Sequence, residues 1–188
     1  MSKLLRAFFV CVVAIKYGII KDIYISIQLM LRKATLNDLD FIYELYMHPD
    51  INPSLMYEPT DIESFKPIYN DLLEKDIKYV YEHNSVAAGM CKLAPLTYRS
   101  SHVVYLGGVG IQPGFTGKGH GAKMMREIID ICRQAGYKRI ELSVAVENEK
   151  AFRLYEKVGF EKEGILRNYT FLQKENRYFD ETLMSYLY

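Results

Sequence analysis

From residue 30 onward the apolar positions keep two rhythms, one of about 3.6 residues and one of 2, and the switches between them mark out the elements. Residues 31–34 read as a short strand. Leu39, Ile42, Tyr43 and Tyr46 then recur at three- and four-residue spacing, which predicts a helix with one buried face. Asn37 is its expected N-cap, with Asp38 and Asp40 in the first turn. Residues 48–59 carry Pro49, Pro53 and Pro59 and read as a loop, followed by a second helix over residues 61–75. Residues 78–81 and 85–93 predict two strands joined by a turn around His83 and Asn84. Residues 103–111 are apolar enough for a strand at the centre of a sheet. Met124, Met125, Ile128, Ile129 and Cys132 give a third helix that Gly136 stops, and the methionines in such a stripe read as core. Residues 139–146 alternate, with Ile140, Leu142, Val144 and Val146 on one face and Glu141, Ser143 and Ala145 on the other. Asn148 caps a short helix ending near Gly159, and residues 160–165 and 182–188 supply closing strands. No repeat or linker divides residues 30–188, so the expectation is a single α+β domain around a mixed sheet.

Composition narrows the class without naming a chemistry. The chain has 188 residues, 49% of them hydrophobic and 25% charged, as in a globular domain with its own core. A net charge of +1 gives no whole-molecule case for nucleic acid or an acidic surface. Cys11, Cys91 and Cys132 are scattered and odd in number, which gives neither metal spacing nor a disulfide framework and fits a reducing compartment, the cytoplasm. Lys3 and Arg6 precede an apolar run at residues 7–15 that resembles a short signal-peptide core, yet no small-x-small cleavage site follows. That run is less than half of the roughly 20 apolar residues a membrane-spanning helix needs. Met30 stands just before the first strand, and we expect the functional start there, with residues 1–29 an apolar extension upstream of the domain. An N-terminal membrane anchor is the alternative.

Between the apolar strand and the third helix lies Gln112-Pro-Gly-Phe-Thr-Gly-Lys-Gly-His-Gly-Ala122. Gly117, Gly119 and Gly121 leave backbone N–H groups bare at a helix N-terminus, where the positive end of the helix dipole also lies. Such a turn suits a phosphate or pyrophosphate, although glycines of this density also serve turns that simply need positive φ. A P-loop fails on the letters: counted from Gly114 the pattern reaches Gly119, but His120 and Gly121 stand where Lys and Ser/Thr are required. Gly117, Gly119 and Ala122 fit G-x-G-x-x-A of a dinucleotide site, with Glu141 and Glu147 beyond, yet the short remainder of the chain leaves little room for a doubly wound sheet.

Two segments together resemble a known family. The turn that runs from Ile111 to Gly121, and Asn148-Glu-Lys-Ala-Phe-Arg-Leu-Tyr-Glu-Lys-Val-Gly-Phe160, are similar to the two signature motifs of the Gcn5-related N-acetyltransferases (GNAT). The second motif, N-x-x-A-x-x-L-Y-x-K-x-G-F, matches at every named position, and the likeness covers residues 30–188. Within the family the chain looks like bacterial members that acetylate free amino acids, with the ribosomal-protein N-terminal acetyltransferases as near relatives.

The resemblance implies a mixed, mostly antiparallel central sheet flanked by helices, and acetyl-CoA as co-substrate without a metal. It places the pyrophosphate on the N–H groups of Gly117, Lys118, Gly119, His120, Gly121 and Ala122, and the pantetheine arm along Val109, Gly110 and Ile111 at the end of a strand that splays from its neighbour. Asn148 would contact the cofactor, a role compatible with that of a plain N-cap. One position departs from the family pattern: Thr116 stands where Gln or Arg is usual, and losing a guanidinium removes a phosphate contact worth about 1–3 kcal/mol. Lys118 and Lys123 are nearby cations.

The resemblance assigns the chemistry to Tyr155. A phenol with a pKa near 10 is neutral at pH 7 and suits protonation of a departing thiolate. Without the resemblance, helical spacing from Phe152 and Val158 reads as a core aromatic. The base that takes the amine's proton stays open among Glu141, Glu58, Glu44, His102 and no dedicated residue. Acceptor contacts are expected from residues 40–75 and from the tail around residues 167–178. The reading is an acetyl-CoA-dependent N-acetyltransferase acting on a small primary amine, foremost a free L-amino acid. Alternatives are protein N-terminal acetylation, with a peptide N terminus as partner, and a non-catalytic acyl-CoA-binding module. No nucleic-acid or membrane partner is expected. Homodimers are common among such enzymes, which is an analogy only.

Overall fold

A computed structural model describes residues 30–55 and 57–188, and the expectation for residues 1–29 lies outside them. Seven strands form one sheet: β1 (Leu31–Lys33), β2 (Lys78–His83), β3 (Val86–Pro95), β4 (Val103–Ile111), β5 (Arg139–Ala145), β6 (Glu161–Leu172) and β7 (Arg177–Leu187). Their spatial order is β1-β2-β3-β4-β5-β7-β6, so β4 is the middle strand, as its apolar run predicts. Every pairing is antiparallel except β4 with β5, which the intervening helix requires to run parallel. The mixed, mostly antiparallel α+β architecture is therefore the expected one.

Helices α1 (Leu39–Met47) and α2 (Ile62–Glu74) cover one face of the sheet, where Ile42, Leu45, Tyr46, Phe65 and Tyr69 bury against Val80 and Met90. The other face holds α3 (His120–Gln134) and α4 (Glu149–Lys157). The inner side of α3 is the expected stripe of Met124, Met125, Ile128, Ile129 and Cys132, all buried against Tyr81, Cys91, Leu106, Ile140 and Leu142. Fully burying side chains of this kind contributes roughly 1.5–3 kcal/mol each before the entropy of ordering them is subtracted.

Three boundaries differ from the sequence expectation. Asn37 is not a cap; the chain first makes a 3₁₀ turn over Leu36–Asp38, and α1 begins only at Leu39. The hydroxyl and the N–H of Thr35 both donate to the Asp38 carboxylate, at 2.9 and 2.8 Å, so the capping pair sits two residues earlier. The β2–β3 turn falls on Asn84 and Ser85, whose φ values of +52° and +61° suit a type I′ hairpin, and His83 joins the strand. Last, β6 and β7 extend far past the apolar segments that announce them and make one long hairpin, turned by a 3₁₀ step at Gln173–Glu175. Much of the extension is solvent-facing, with Tyr169, Phe171 and Tyr178 exposed, so no buried face writes its period into the sequence.

Candidate active site

β4 and β5 pair only through Val103–Arg139, Val104–Ile140 and Tyr105–Glu141. Beyond Tyr105 they part: β4 stays with β3 as far as Ile111, while β5 follows β7 out to Ala145 opposite Glu181. A wedge opens between the two strand ends. On its β4 wall the register slips, because Met90 faces Gly110 but Lys92 faces Gly107, which leaves Gly108 and Val109 in a bulge opposite Cys91. Gly108 has φ +56°, and a Cβ there would lie 2.7 Å from the Tyr46 hydroxyl, so only glycine fits this corner.

The wedge holds a cavity of about 100 Å³, lined by Gly107, Gly108 and Val109, by Ser143 and Ala145, and by Tyr155 from α4. Tyr155 is 7% exposed, and burial pushes its phenol well above the ordinary value, so it is a proton donor at any neutral pH. Its ring is held from behind by Phe160, centroids 6.0 Å apart. Asn148 also lines the cavity, and its side chain works in two directions. Oδ1 accepts from the N–H of Ala151 at 3.1 Å, capping α4, and Nδ2 donates to the Ser54 hydroxyl at 2.9 Å.

That second bond is one of several that fasten a cover over the wedge. Residues 53–55 from the α1–α2 loop line the cavity from above, and Thr170, Leu172 and Phe179 of the long hairpin line it from the side. Glu58 accepts the N–H of Gln173 at 2.9 Å, which ties the loop to the hairpin tip. Arg177 donates to Glu147 at 2.7 Å, which ties the tip to the approach to α4. Asn52 staples the loop internally by donating to the carbonyls of Tyr46 and Tyr57. Both segments expected to meet the acceptor amine, within residues 40–75 and 167–178, thus reach the cavity.

The glycine-rich turn follows directly from β4. Gly117 and Gly119 sit at φ +79° and +84°, and Gly119 stands at the N-cap of α3 without a capping side chain. Among the described residues, none of the N–H groups from Gly117 to Ala122 donates a hydrogen bond of normal geometry to the protein. A row of free donors at the positive end of a 15-residue helix has the geometry and the dipole that favour an anion. The side chains around it contribute less. Lys118 folds back to donate to the Gly114 carbonyl at 2.8 Å, and the Thr116 hydroxyl reaches only the Gln112 carbonyl at 3.4 Å. His120 turns inward, with Nδ1 3.1 Å from the Tyr81 hydroxyl and its ring against His83 and Phe115. Burial lowers its pKa, so His120 offers the turn an N–H and not a charge.

None of the candidate bases lines the cavity. Glu141 is paired with Arg139 at 3.1 Å, Glu58 is engaged by Gln173, Glu44 lies on the exposed side of α1, and His102 sits in an exposed turn. The carboxylate that does line it is Glu181 of β7, which the sequence reading missed. Its signal was a charged residue in phase with Phe179 and Leu183 on an alternating strand. Among the described residues no group of three or more His, Cys, Asp or Glu side chains is arranged to hold a metal ion, and no helix is long and apolar enough to cross a membrane.

A splayed parallel pair and a glycine turn of free N–H groups are the geometry the two sequence motifs imply, the bulge in β4 is a feature only the structure reveals, and comparison with known proteins agrees on the family. The acetyltransferase (GNAT) family profile matches residues 39–160. The chain belongs to the GNAT family. It is accordingly an N-acetyltransferase that draws on acetyl-CoA. Over 140 residues it is 29% identical to the putative [ribosomal protein bS18]-alanine N-acetyltransferase of Bacillus subtilis, a match covering 73% of this chain and 84% of that protein. It is 38% identical over 72 residues to the L-amino acid N-acetyltransferase AaaT of Escherichia coli, covering 38% of this chain and 44% of AaaT. The structure of spermidine N-acetyltransferase from Vibrio cholerae in complex with CoA and spermine superposes with a TM-score of 0.73 at 28% identity, over 84% of this GNAT chain and 94% of that one.

Proposed function

We propose that this protein acetylates a small primary amine, free L-amino acids and amines of similar size being the class, with Tyr155 as the acid that protonates the departing thiolate. The observation that carries the reading is the cover. A cavity of about 100 Å³, partly roofed by residues 53–55 and flanked by the β6–β7 hairpin, suits a small amine better than a peptide chain, which needs an open groove. The N–H groups from Gly117 to Ala122 hold the pyrophosphate, and β4 leads from them past Val109, Gly110 and Ile111 to the wedge, which brings the thioester beside Tyr155. In this reading the backbone N–H groups of the bulge stabilise the oxyanion. The buried free thiols of Cys91 and Cys132 support a reducing compartment, the cytoplasm.

The test is release of free CoA from acetyl-CoA with a panel of L-amino acids, polyamines and short peptides. Turnover confined to small amines is the expected result. Turnover with peptides beginning in alanine, and none with small amines, would move the protein to the N-terminal acetyltransferases, the class its Bacillus subtilis relative is named for.

A further inference from the structure

Within the cavity described above, the geometry points to Glu181 as the residue that binds the acceptor's ammonium and takes its proton. The inference rests on the small-amine reading and supplies the base it lacks.

Glu181 is the only charged side chain among the described residues that line the cavity. An amine free in water at pH 7 is mostly an ammonium ion, with a lysine-type pKa near 10.4. A cavity that admits it needs a compensating charge, since an unpaired ion out of water is strongly disfavoured. Among the described residues the lining offers one carboxylate and no lysine, arginine or histidine, so it suits the ammonium end of an acceptor, and an acceptor with a carboxylate of its own must keep that group outside the cavity, in water.

The fold also aims this carboxylate. Glu181 lies opposite Ala145 on β5 and Leu166 on β6. Between Leu166 and Thr170 the strand β6 bulges, so that Arg167, Asn168 and Tyr169 together face Asp180, whose carboxylate accepts the Asn168 N–H at 2.8 Å. The bulge delivers Thr170 beside Glu181, where its hydroxyl donates to Oε1 at 2.5 Å. Oε1 is thereby fixed, and Oε2 is left without a hydrogen bond among the described residues. Across the wedge the Tyr105 hydroxyl is 3.0 Å from the Ser143 hydroxyl. Burial and the nearby Glu181 charge both raise the Tyr105 phenol, so it stays a neutral neighbour.

In the step itself one N–H bond of the ammonium breaks and an O–H bond forms on Glu181. The electron pair left on nitrogen then forms the C–N bond to the thioester carbonyl carbon. The C–S pair leaves with sulfur and takes the Tyr155 proton. The second proton on nitrogen restores the phenol, and Glu181 returns its own to water. Proton in at one side of the wedge and out at the other divides the labour between a carboxylate and a phenol.

The experiment compares wild type and Glu181→Gln on the fastest acceptor in the panel, across pH 6.5–9.5, with acetyl-CoA affinity measured by calorimetry. The expected result is a fall of about 10²-fold in kcat/KM for the amine at pH 7. The deficit should shrink as pH approaches the amine's own pKa and the free base becomes abundant, with acetyl-CoA affinity unchanged. Glu181→Asp should recover part of the rate, and it carries the same comparison if the glutamine variant does not fold. An unchanged kcat/KM, or a loss of equal size at every pH, overturns the role. A peptide as the fastest acceptor overturns the small-amine reading while the pH comparison still decides for or against Glu181. A wild-type protein that binds acetyl-CoA and turns over no amine overturns both.

Discussion

Lys78 is a charged side chain in the wrong solvent, and replacing it tests how the sheet tolerates it. It is 1% exposed on β2, on the face covered by α1, and among the described residues it has no carboxylate partner. Nζ lies 3.1 Å from the Tyr46 hydroxyl and 4.5 Å from that ring's centroid, behind the Gly108 bulge. Burial pushes its ammonium from the ordinary 10.5 down to about 7, with Lys92 adding to the fall and Cys91 opposing it. Between those two values the unfolded chain holds a proton that the folded chain does not, so stability rises with pH across this window. Below pH 7 both states are protonated and the full cost of burying the charge is present. Taking 7 and 10.5 as the two pKa values, the folded state gains about 3 kcal/mol between pH 7 and pH 9.5 from this residue alone. Lys78→Met keeps the stem and removes the titration. It also strips the Tyr46 hydroxyl of its partner, at about 1–3 kcal/mol, but that loss is the same at every pH in the window because the Tyr46 phenol is pushed far up. The measurement is urea unfolding of both proteins at pH 7, 8, 9 and 9.5, followed by circular dichroism. The wild-type curve should climb relative to the variant by the stated amount. Parallel curves would mean that Lys78 is solvated or paired in solution, and the reasoning from its burial would fail.

Three further outcomes follow from the site. Tyr155→Phe should lower kcat by about 10²-fold with acetyl-CoA affinity unchanged, and equal turnover in a stopped-flow or steady-state assay would remove Tyr155 from the chemistry. Gly119→Glu forces a side chain into φ +84° and sets a negative charge among the free N–H groups, so calorimetry should detect no acetyl-CoA binding; retained affinity would put the cofactor elsewhere. Thr116→Arg restores a guanidinium at the rim of the turn, where Thr116 now makes only a 3.4 Å contact with Gln112. It should tighten acetyl-CoA about tenfold, near 1.4 kcal/mol, an effect that weakens with added salt; no change would show that the N–H groups already saturate the phosphates.

Much of the fold is written locally, because local periodicity and backbone chemistry record burial on one face. The stripe from Met124 to Cys132, the apolar run of β4 and the alternation of β5 each mark a buried surface, and each became the expected element. The glycine turn is equally local, since positive φ and bare N–H groups belong to the residues that form them. What the chain does not record locally is the wedge. The parting of β4 from β5 beyond Tyr105 depends on β7 keeping its partner, and the closing of the cavity depends on Ser54 meeting Asn148 and Glu58 meeting Gln173. The last two contacts join residues 94 and 115 positions apart, which no pattern of neighbours specifies. For the same reason Glu141, which shares its strand with the site, turned out to serve an ion pair, while Glu181, near the end of the chain, came to line the cavity. Sequence by itself determined the order of the main elements, the family resemblance and the conformation of the glycine turn, because these rest on short-range sterics and periodic burial. Tertiary structure alone decided which carboxylate lines the cavity and how large that cavity is, because both follow from packing between distant segments.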